Sequence, residues 1–511
     1  MKRAKKFFMN GLILACTTVF LRAGGVAFNV YITNQIGAEG IGLFGLIMSV
    51  YMLATTVANS GANLAATRLV TEEAAKGCGS GMKKSMRVCM CYSLFFGVSA
   101  GVLLFCFAPQ IGTLWLRDAR TVRPLYLLSV SLPFIALSSS MNGYFMGVRR
   151  IAKSASAQIF ELFIKIAAAV FALSLFRGRG IEYACIAVVG GGSVAEISSF
   201  LYLYLLYRLD RRRHCVGHNC EGRYTRRLLG IALPVAVSSY LRSGLVTLEH
   251  LLVPIGLGRY GASRKASLAQ YGVVHGMVMP VLLFPSAVLS AFAGLLVPEL
   301  TELQTQNKNR QIDSIASRAM RLALLFSIGA AGLFFTFADA LGMAIYKSGD
   351  AALFIRFLAP LVVVMYTDTV TDAMLKGLNQ QVSSMRYNII DSAVSVVLIA
   401  VLLPRYGING YVAVIFVTEI LNAFLSINRL VCVSGVSVSV RLCIVRPVLC
   451  IAAACGLVRL GSMLWFGTVF CSAAAVTLML LLSIGLYALL LWVFSRFGHR
   501  GIEPHTRRIS V

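Results

Sequence analysis

Acidic side chains are scarce in this chain. Only 20 of its 511 residues are Asp or Glu, and charged residues of both signs make up 13%. Soluble globular proteins carry about 25%, so too little charge is present to clothe a water-exposed surface. That shortage excludes an ordinary cytosolic enzyme, a disordered chain and a fibrous repeat. Nucleotide and hydrolase signatures are also missing: there is no Walker motif, no Gly-x-Ser-x-Gly elbow and no His-Glu-x-x-His. ATP-driven pumping within the chain and catalysis therefore have no constellation to rest on, and neither a catalytic residue nor a cofactor is expected. A disulfide framework is missing as well. The 13 cysteines are odd in number, and many, such as Cys89, Cys106, Cys185 and Cys450, lie in apolar runs where cysteine acts as a small hydrophobe. Metal-capable side chains cluster from His214 to Cys220, but their spacing matches no standard zinc site. A solvated loop and no metal are the expectation there.

What is present is hydrophobic and basic. Apolar residues make up 58%, and 47 Lys and Arg give a formal charge of +27. The bases sit in short loops between apolar runs of about 20 residues, the length that crosses a hydrocarbon core. This placement excludes a nucleic-acid binder, whose bases would lie on a polar surface. The expected fold class is an all-α polytopic membrane protein with about 14 transmembrane helices. The spans run roughly 8–32, 41–66, 88–109, 124–147, 154–176, 182–207, 229–255, 271–297, 317–342, 353–375, 384–403, 409–429, 443–460 and 467–494. In lipid each must satisfy its own backbone, so each is a helix. The amino terminus imitates a signal peptide, but its apolar stretch continues past Cys16 to about Ile32 and reads as an uncleaved first helix. With the amino terminus in the cytosol, inner loops and tails hold 32 Lys and Arg and outer loops 12, while Arg22, Lys165 and Arg242 lie within spans. That bias places both termini inside.

The chain repeats itself. Leu21-Arg22-Ala23-Gly24 in span one answers Leu241-Arg242-Ser243-Gly244 in span seven. Span four ends near Gly147 and span ten near Gly377, and an acid follows each, Glu161 and Asp391. Spans six and twelve hold Glu196-Ile197 and Glu419-Ile420. Two pseudo-symmetric six-helix lobes, residues 1–227 with a basic cytosolic loop and 228–440, therefore precede two extra helices and a basic tail at 441–511. Such lobes enclose a cavity that alternates between inward and outward access.

Charged groups inside the spans each need a reason, because burial at a helix centre costs about 2.5–3.5 kcal/mol. Arg22 and Arg242 occupy matching depths in the two repeats. Two guanidiniums facing one cavity suit a phosphate or pyrophosphate; pairing with acids or reaching for headgroups is the alternative. Lys165 follows Glu161 at the favoured i,i+4 spacing for an ion pair, or adds a base to the cavity. Glu249 lies two turns beyond Arg242 and either pairs with it or competes with an anionic substrate, with His250 adjacent. Asp368 and Asp372 are like charges at i,i+4, which share a cation, shift in affinity for protons, or lie hydrated at a helix end. Glu196 and Glu419 complete the candidates for coupling or gating.

Several segments together resemble one family. These are GYFMG at 143–147, LPVAVSSYLRSGLVTLEHLLVP at 233–254, YGVVHGMVMPVLLFPSAVL at 271–289, LVPELTE at 296–302, and YTDTVTDAMLKGLNQQ at 366–381 followed by MRYNIIDS at 385–392. The chain resembles the stage V sporulation protein B-like polysaccharide flippases of the multidrug/oligosaccharidyl-lipid/polysaccharide exporter superfamily. The resemblance implies a bacterial cell-membrane protein of fourteen helices in two lobes. It implies movement of a polyprenyl-diphosphate-linked oligosaccharide, a cell-wall or spore-cortex precursor, from the inner to the outer leaflet. The partners implied are that glycolipid, membrane lipids and a coupling H+ or Na+. The alternative within the superfamily is a cation-coupled multidrug exporter. Arg22 matches a first-helix cavity arginine of the related lipid II flippases, whereas two of their further cavity arginines correspond here to Phe28 and Thr55.

Overall fold

The computed structural model describes residues 2–76, 79–176, 178, 180–214, 224–436, 441–466 and 473–498. The cluster from Cys215 to Cys220 lies outside them. All regular structure among the described residues is helical, the outcome that apolar runs in a water-free solvent require. Among the described residues, twelve helices are long and apolar enough to cross a membrane, or 13 when Gly349–Leu358 and Leu361–Gly377, bent by 59°, count as one. Two of these are double length, so the count accords with about 14 crossings.

The double helices follow from glycine. Helix α1, Lys2–Asn59, covers the first expected span and most of the second, and turns at Gly37 (φ 72°, ψ −178°). Helix α15, Gln381–Ser434, joins spans eleven and twelve and turns at Gly407 (φ 59°, ψ −137°). Only glycine takes such angles without strain. The expected breaks at 33–40 and 404–408 contain these glycines, and the helical hydrogen bonding runs on through each turn instead of giving way to a loop. The eighth expected span differs more. Its residues divide between Arg264–Leu283 and Ser286–Thr305, because Pro285 has no N–H to continue the ladder.

Contacts divide the chain into two compact units, residues 1–272 with 399–407, and residues 273–398 with 408–511. The first contains α1, α2 (Ala62–Ala75), α3 (Gly79–Gln110), α4 (Val122–Gly147), α5 (Ile151–Leu175), α6 (Ile181–His214), α7 (Tyr224–Arg259) and α8 (Arg264–Tyr271). Small residues bring these backbones together, as packing in lipid favours. A Cβ at Gly97 of α3 would lie 2.9 Å from Pro133 Cα of α4, and one at Gly191 of α6 would lie 2.6 Å from Ala169 N of α5. Buried Ser93 and Ser140 join α3 to α4 at 2.5 Å.

The second unit holds a π-helical turn Gly272–Val278 (from Val273 on), α9 (Met279–Leu283), α10 (Ser286–Thr305), α11 (Asn309–Thr336), α12 (Ala338–Tyr346), α13 (Gly349–Leu358), α14 (Leu361–Gly377), most of α15, α16 (Arg446–Phe466) and α17 (Ala473–Gly498). Gly332 of α11 receives Ile451 of α16, and Gly329 receives the Tyr487 ring of α17. The sequence repeat recurs as local geometry in each unit. In the first, Thr71 Oγ1 donates to Gly147 O at 3.3 Å; in the second, Thr301 Oγ1 donates to Gly377 O at 2.9 Å. The same interval separates both partners, and it also separates Glu161 from Asp391.

Candidate functional site

Within the first unit the buried polar groups gather around two acids on neighbouring helices. Tyr51 of α1 is 3% exposed. Its hydroxyl donates to Glu196 Oε2 of α6 at 2.6 Å and shares a 2.7 Å hydrogen bond with Ser131 of α4. Glu161 of α5 takes a hydrogen bond from Ser199 of α6. Lys165 acts electrostatically on both acids, while its Nζ stands 5.9 Å from the centre of the Phe28 ring. The expected Glu161–Lys165 pairing is thus one part of a four-helix constellation. The ammonium also occupies the neighbourhood of Phe28, a position where the resemblance implies an arginine.

Arg22 and Arg242 are both exposed within their spans. On α1, Phe20 meets the Phe163 ring of α5 at 6.2 Å and Gly24 abuts Leu162. Arg22 lies two residues from each and so projects from the opposite side of the helix. On α7, Tyr240, Ser243 and Thr247 face α1 through hydrogen bonds to Ser60 (2.6 Å), Thr56 (3.2 Å) and Ser49 O (3.1 Å). Arg242 lies off that face. Glu249 is half-buried and acts electrostatically on Tyr271, whose hydroxyl bonds His250 Nδ1 at 3.2 Å.

The second unit carries its own acidic constellation. Asn422 Nδ2 of α15 donates to Asp368 Oδ2 of α14 at 3.1 Å, and Ser384 Oγ donates to Asp372 Oδ1 at 2.7 Å. Ser426 also reaches Asp368, and Asp372 and Asp391 lie within its electrostatic range. Glu419 is half-buried on the same α15 segment. The side-chain oxygens Asp368 Oδ1 and Asn422 Oδ1 are buried without a hydrogen-bond partner, an arrangement that suits a proton or a hard cation. Among the described residues, no three His, Cys, Asp or Glu are grouped to hold a metal, and nine cysteines are free.

Two ionic clusters lie nearer the helix ends. Asp210 takes hydrogen bonds from Tyr144 (3.0 Å), Lys153 (2.5 Å) and Arg150. At the other end of these helices Arg120 joins Asp118 (2.8 Å) and Glu39 (3.0 Å). Burial raises the Asp118 carboxyl's affinity for its proton, but the hydrogen bonds from Arg120 and the charge of Arg264 outweigh it and hold the group below its ordinary range. A depressed carboxyl stabilises the fold above its unfolded value of about 3.9 and loses that contribution as pH falls. The Asp118→Asn variant is therefore expected to melt below the wild type at neutral pH. Thermal denaturation in detergent should show the gap closing as pH falls through the carboxylate range.

The family described as "Polysaccharide biosynthesis protein" matches residues 8–304. Stage V sporulation protein B of Bacillus subtilis (strain 168) is 29% identical over 446 residues, 86% of each chain. Lipid II flippase MurJ of the same organism is 22% identical, with 83% of each chain covered. Among solved structures, lipid II flippase MurJ in an inward closed conformation superposes with a TM-score of 0.73 at 13% identity, over 96% of this chain and all of that one. An inward-facing multidrug resistance MATE family transporter gives 0.63 at 15% identity over 83% of this chain and all of that one. The expected multi-pass helical fold is therefore shared across transporters, and the chain belongs to the polysaccharide biosynthesis protein family.

Proposed function

We propose that this chain is a flippase that moves a polyprenyl-diphosphate-linked oligosaccharide, a cell-wall or spore precursor, from the inner to the outer leaflet of a bacterial cell membrane. Its likeness to a sporulation protein and to a lipid II flippase over most of its length supports this reading. The observation that carries it is the pair Arg22 and Arg242, exposed within membrane spans at repeat-related positions. A guanidinium turned to lipid would cost several kcal/mol, whereas one turned to a hydrated cavity costs little and offers a fork to phosphate oxygens. Lys165 supplies a third cation beside Phe28. Both termini are cytosolic in this reading, which follows the base bias of the loops and puts Asp118 and Arg264 at the outer face.

Energetics favour the direction. A diphosphate carries about two negative charges, and moving them outward across an inside-negative membrane releases about 2.3 kcal/mol per charge per 100 mV. Proteoliposomes containing a fluorescent polyprenyl-diphosphate saccharide should flip it faster under an inside-negative potential and slower when the sign is reversed. Insensitivity to the sign would overturn potential-driven flipping.

The buried acids favour a second reading, a cation-coupled exporter. Asp368 and Asp372, with Glu196, Glu249 and Glu419, would then bind H+ or Na+. Accumulation of a cationic dye instead of the saccharide in the same vesicles would select it.

A further inference from the structure

We propose that the break between α1 and α2 is a saccharide-binding subsite, where neutral hydroxyl, amide and aromatic side chains of α1, α3 and α7 receive the first sugar of the transported glycolipid. The break lies inside an expected span. Ser60 (φ 41°) and Gly61 (φ 72°) are both left-handed, and Ser60, which carries a Cβ, is strained there. The repeat does not ask for this strain. By the interval that relates Thr71 to Thr301, the break corresponds to residues 289–291, which lie within the continuous helix α10. Only the first unit is strained at this place, so the break serves something that the two units do not share. Helix α7 is held against it: a Cβ at Gly61 would lie 2.7 Å from Ala232 O.

Interrupting a helix in lipid frees carbonyls that need donors. Tyr92 of α3 donates to Ser60 O at 3.0 Å, and its oxygen also lies 3.0 Å from Ser60 Oγ. The Tyr240 hydroxyl of α7 lies 2.6 Å from the same Oγ and 3.4 Å from Val57 O. Hydroxyl groups thus serve a bare stretch of backbone, as the hydroxyls of a sugar can. One acceptor is left over, because Asn59 Oδ1 is buried with no hydrogen-bond partner. Beside it Thr56 Oγ1 donates to Ser243 Oγ at 3.2 Å, and the Tyr92 ring packs on Phe96 at 4.6 Å. None of Thr56, Asn59, Ser60, Tyr92, Tyr240 and Ser243 is charged, so the cluster offers no counter-charge to a phosphate or a cation. It offers what a pyranose needs: amide and hydroxyl partners for its hydroxyls, and aromatic rings for its C–H face. Asn59, Tyr92 and Tyr240 are half-buried, within reach of a ligand. Arg242 follows Tyr240 in the same turn of α7, which sets the sugar contacts next to a phosphate contact, as a sugar bonded to a diphosphate requires.

The subsite rests on the flippase reading, and one experiment separates the two. Binding of a bare polyprenyl diphosphate and of its glucosyl, galactosyl and N-acetylglucosaminyl derivatives is measured by calorimetry on the full chain in nanodiscs. The wild type is expected to bind at least one glycosylated lipid about tenfold tighter than the bare one, the scale of one or two net hydrogen bonds. Asn59→Ala should cut that preference by about three- to tenfold and leave affinity for the bare lipid unchanged. Arg242→Ala should weaken bare and glycosylated lipids alike. If Asn59→Ala does not fold, Tyr240→Phe, which keeps the ring and removes the hydroxyl, reads the same preference. Equal affinity of the wild type for bare and glycosylated lipids would overturn the subsite and leave the flippase reading standing. So would an Asn59→Ala variant that weakens both in equal proportion. Failure to bind any of the four lipids would overturn the flippase reading, and the subsite with it.

Discussion

Replacing Arg22 and Arg242 together with alanine is expected to lower flipping of a polyprenyl-diphosphate saccharide by at least about 100-fold. Hydrogen bonds to charged groups contribute about 1.5–3 kcal/mol each, and the two guanidiniums are asked to hold the diphosphate where hydrocarbon would otherwise exclude it. Each single substitution should fall between the wild type and the double variant. Arg22→Lys retains the charge but not the planar fork, so it should recover part of the loss. Both side chains are exposed, and surface substitutions ordinarily shift stability by less than about 0.5 kcal/mol. Thermal denaturation and membrane insertion are therefore expected to change little while transport collapses. A double variant that flips at the wild-type rate would remove these arginines from the mechanism. Cationic dye export that survives while flipping is lost would shift the reading to the exporter.

That prediction was reachable from sequence because a charge inside an apolar run stands out, and because Arg22 and Arg242 recur within a repeat. The fold class was legible for the same reason: span length and loop charge are local quantities. The turns were less so. The breaks around Gly37 and Gly407 were expected, but that each is a single positive-φ glycine within an otherwise unbroken helix is invisible in sequence, and Pro285 divides residues that hydropathy reads as one span. Partner choice was hidden almost entirely. Glu161 and Lys165 satisfy the i,i+4 rule, yet Ser199 and Phe28, on other helices, receive part of what each offers. Tyr51 and Ser131 carry no signal marking them for Glu196, and Asn422 none marking it for Asp368. In these cases the partners come from separate helices, so packing selects them and spacing does not. The Glu39–Arg120–Asp118 cluster is likewise assembled from segments that read only as charged loops.

Tyr51→Phe is expected to give the largest loss of stability among single-atom deletions in the first unit. The phenol is buried, and its hydroxyl serves Glu196 at 2.6 Å and Ser131 at 2.7 Å. Removing it takes a donor from the Glu196 carboxyl where water is scarce, while Ser131 still donates to the Leu128 carbonyl at 2.9 Å. An acceptor orphaned in this way costs about 1–3 kcal/mol, more when charged. The companion Glu196→Gln keeps an acceptor oxygen for the phenol and removes only the charge, so it should cost less. In a double-mutant cycle, Tyr51→Phe combined with Glu196→Leu should cost less than the sum of the singles, by about 0.5–3 kcal/mol. Strict additivity would mean the two side chains do not act on one another. The same variants separate scaffolding from coupling. If Glu196 only braces α1, α4 and α6, flipping by Glu196→Gln keeps the wild-type dependence on imposed pH gradients. If the acid carries a proton through the cycle, that dependence is lost while the melting temperature stays close to the wild type, because glutamine preserves the hydrogen bond but cannot titrate.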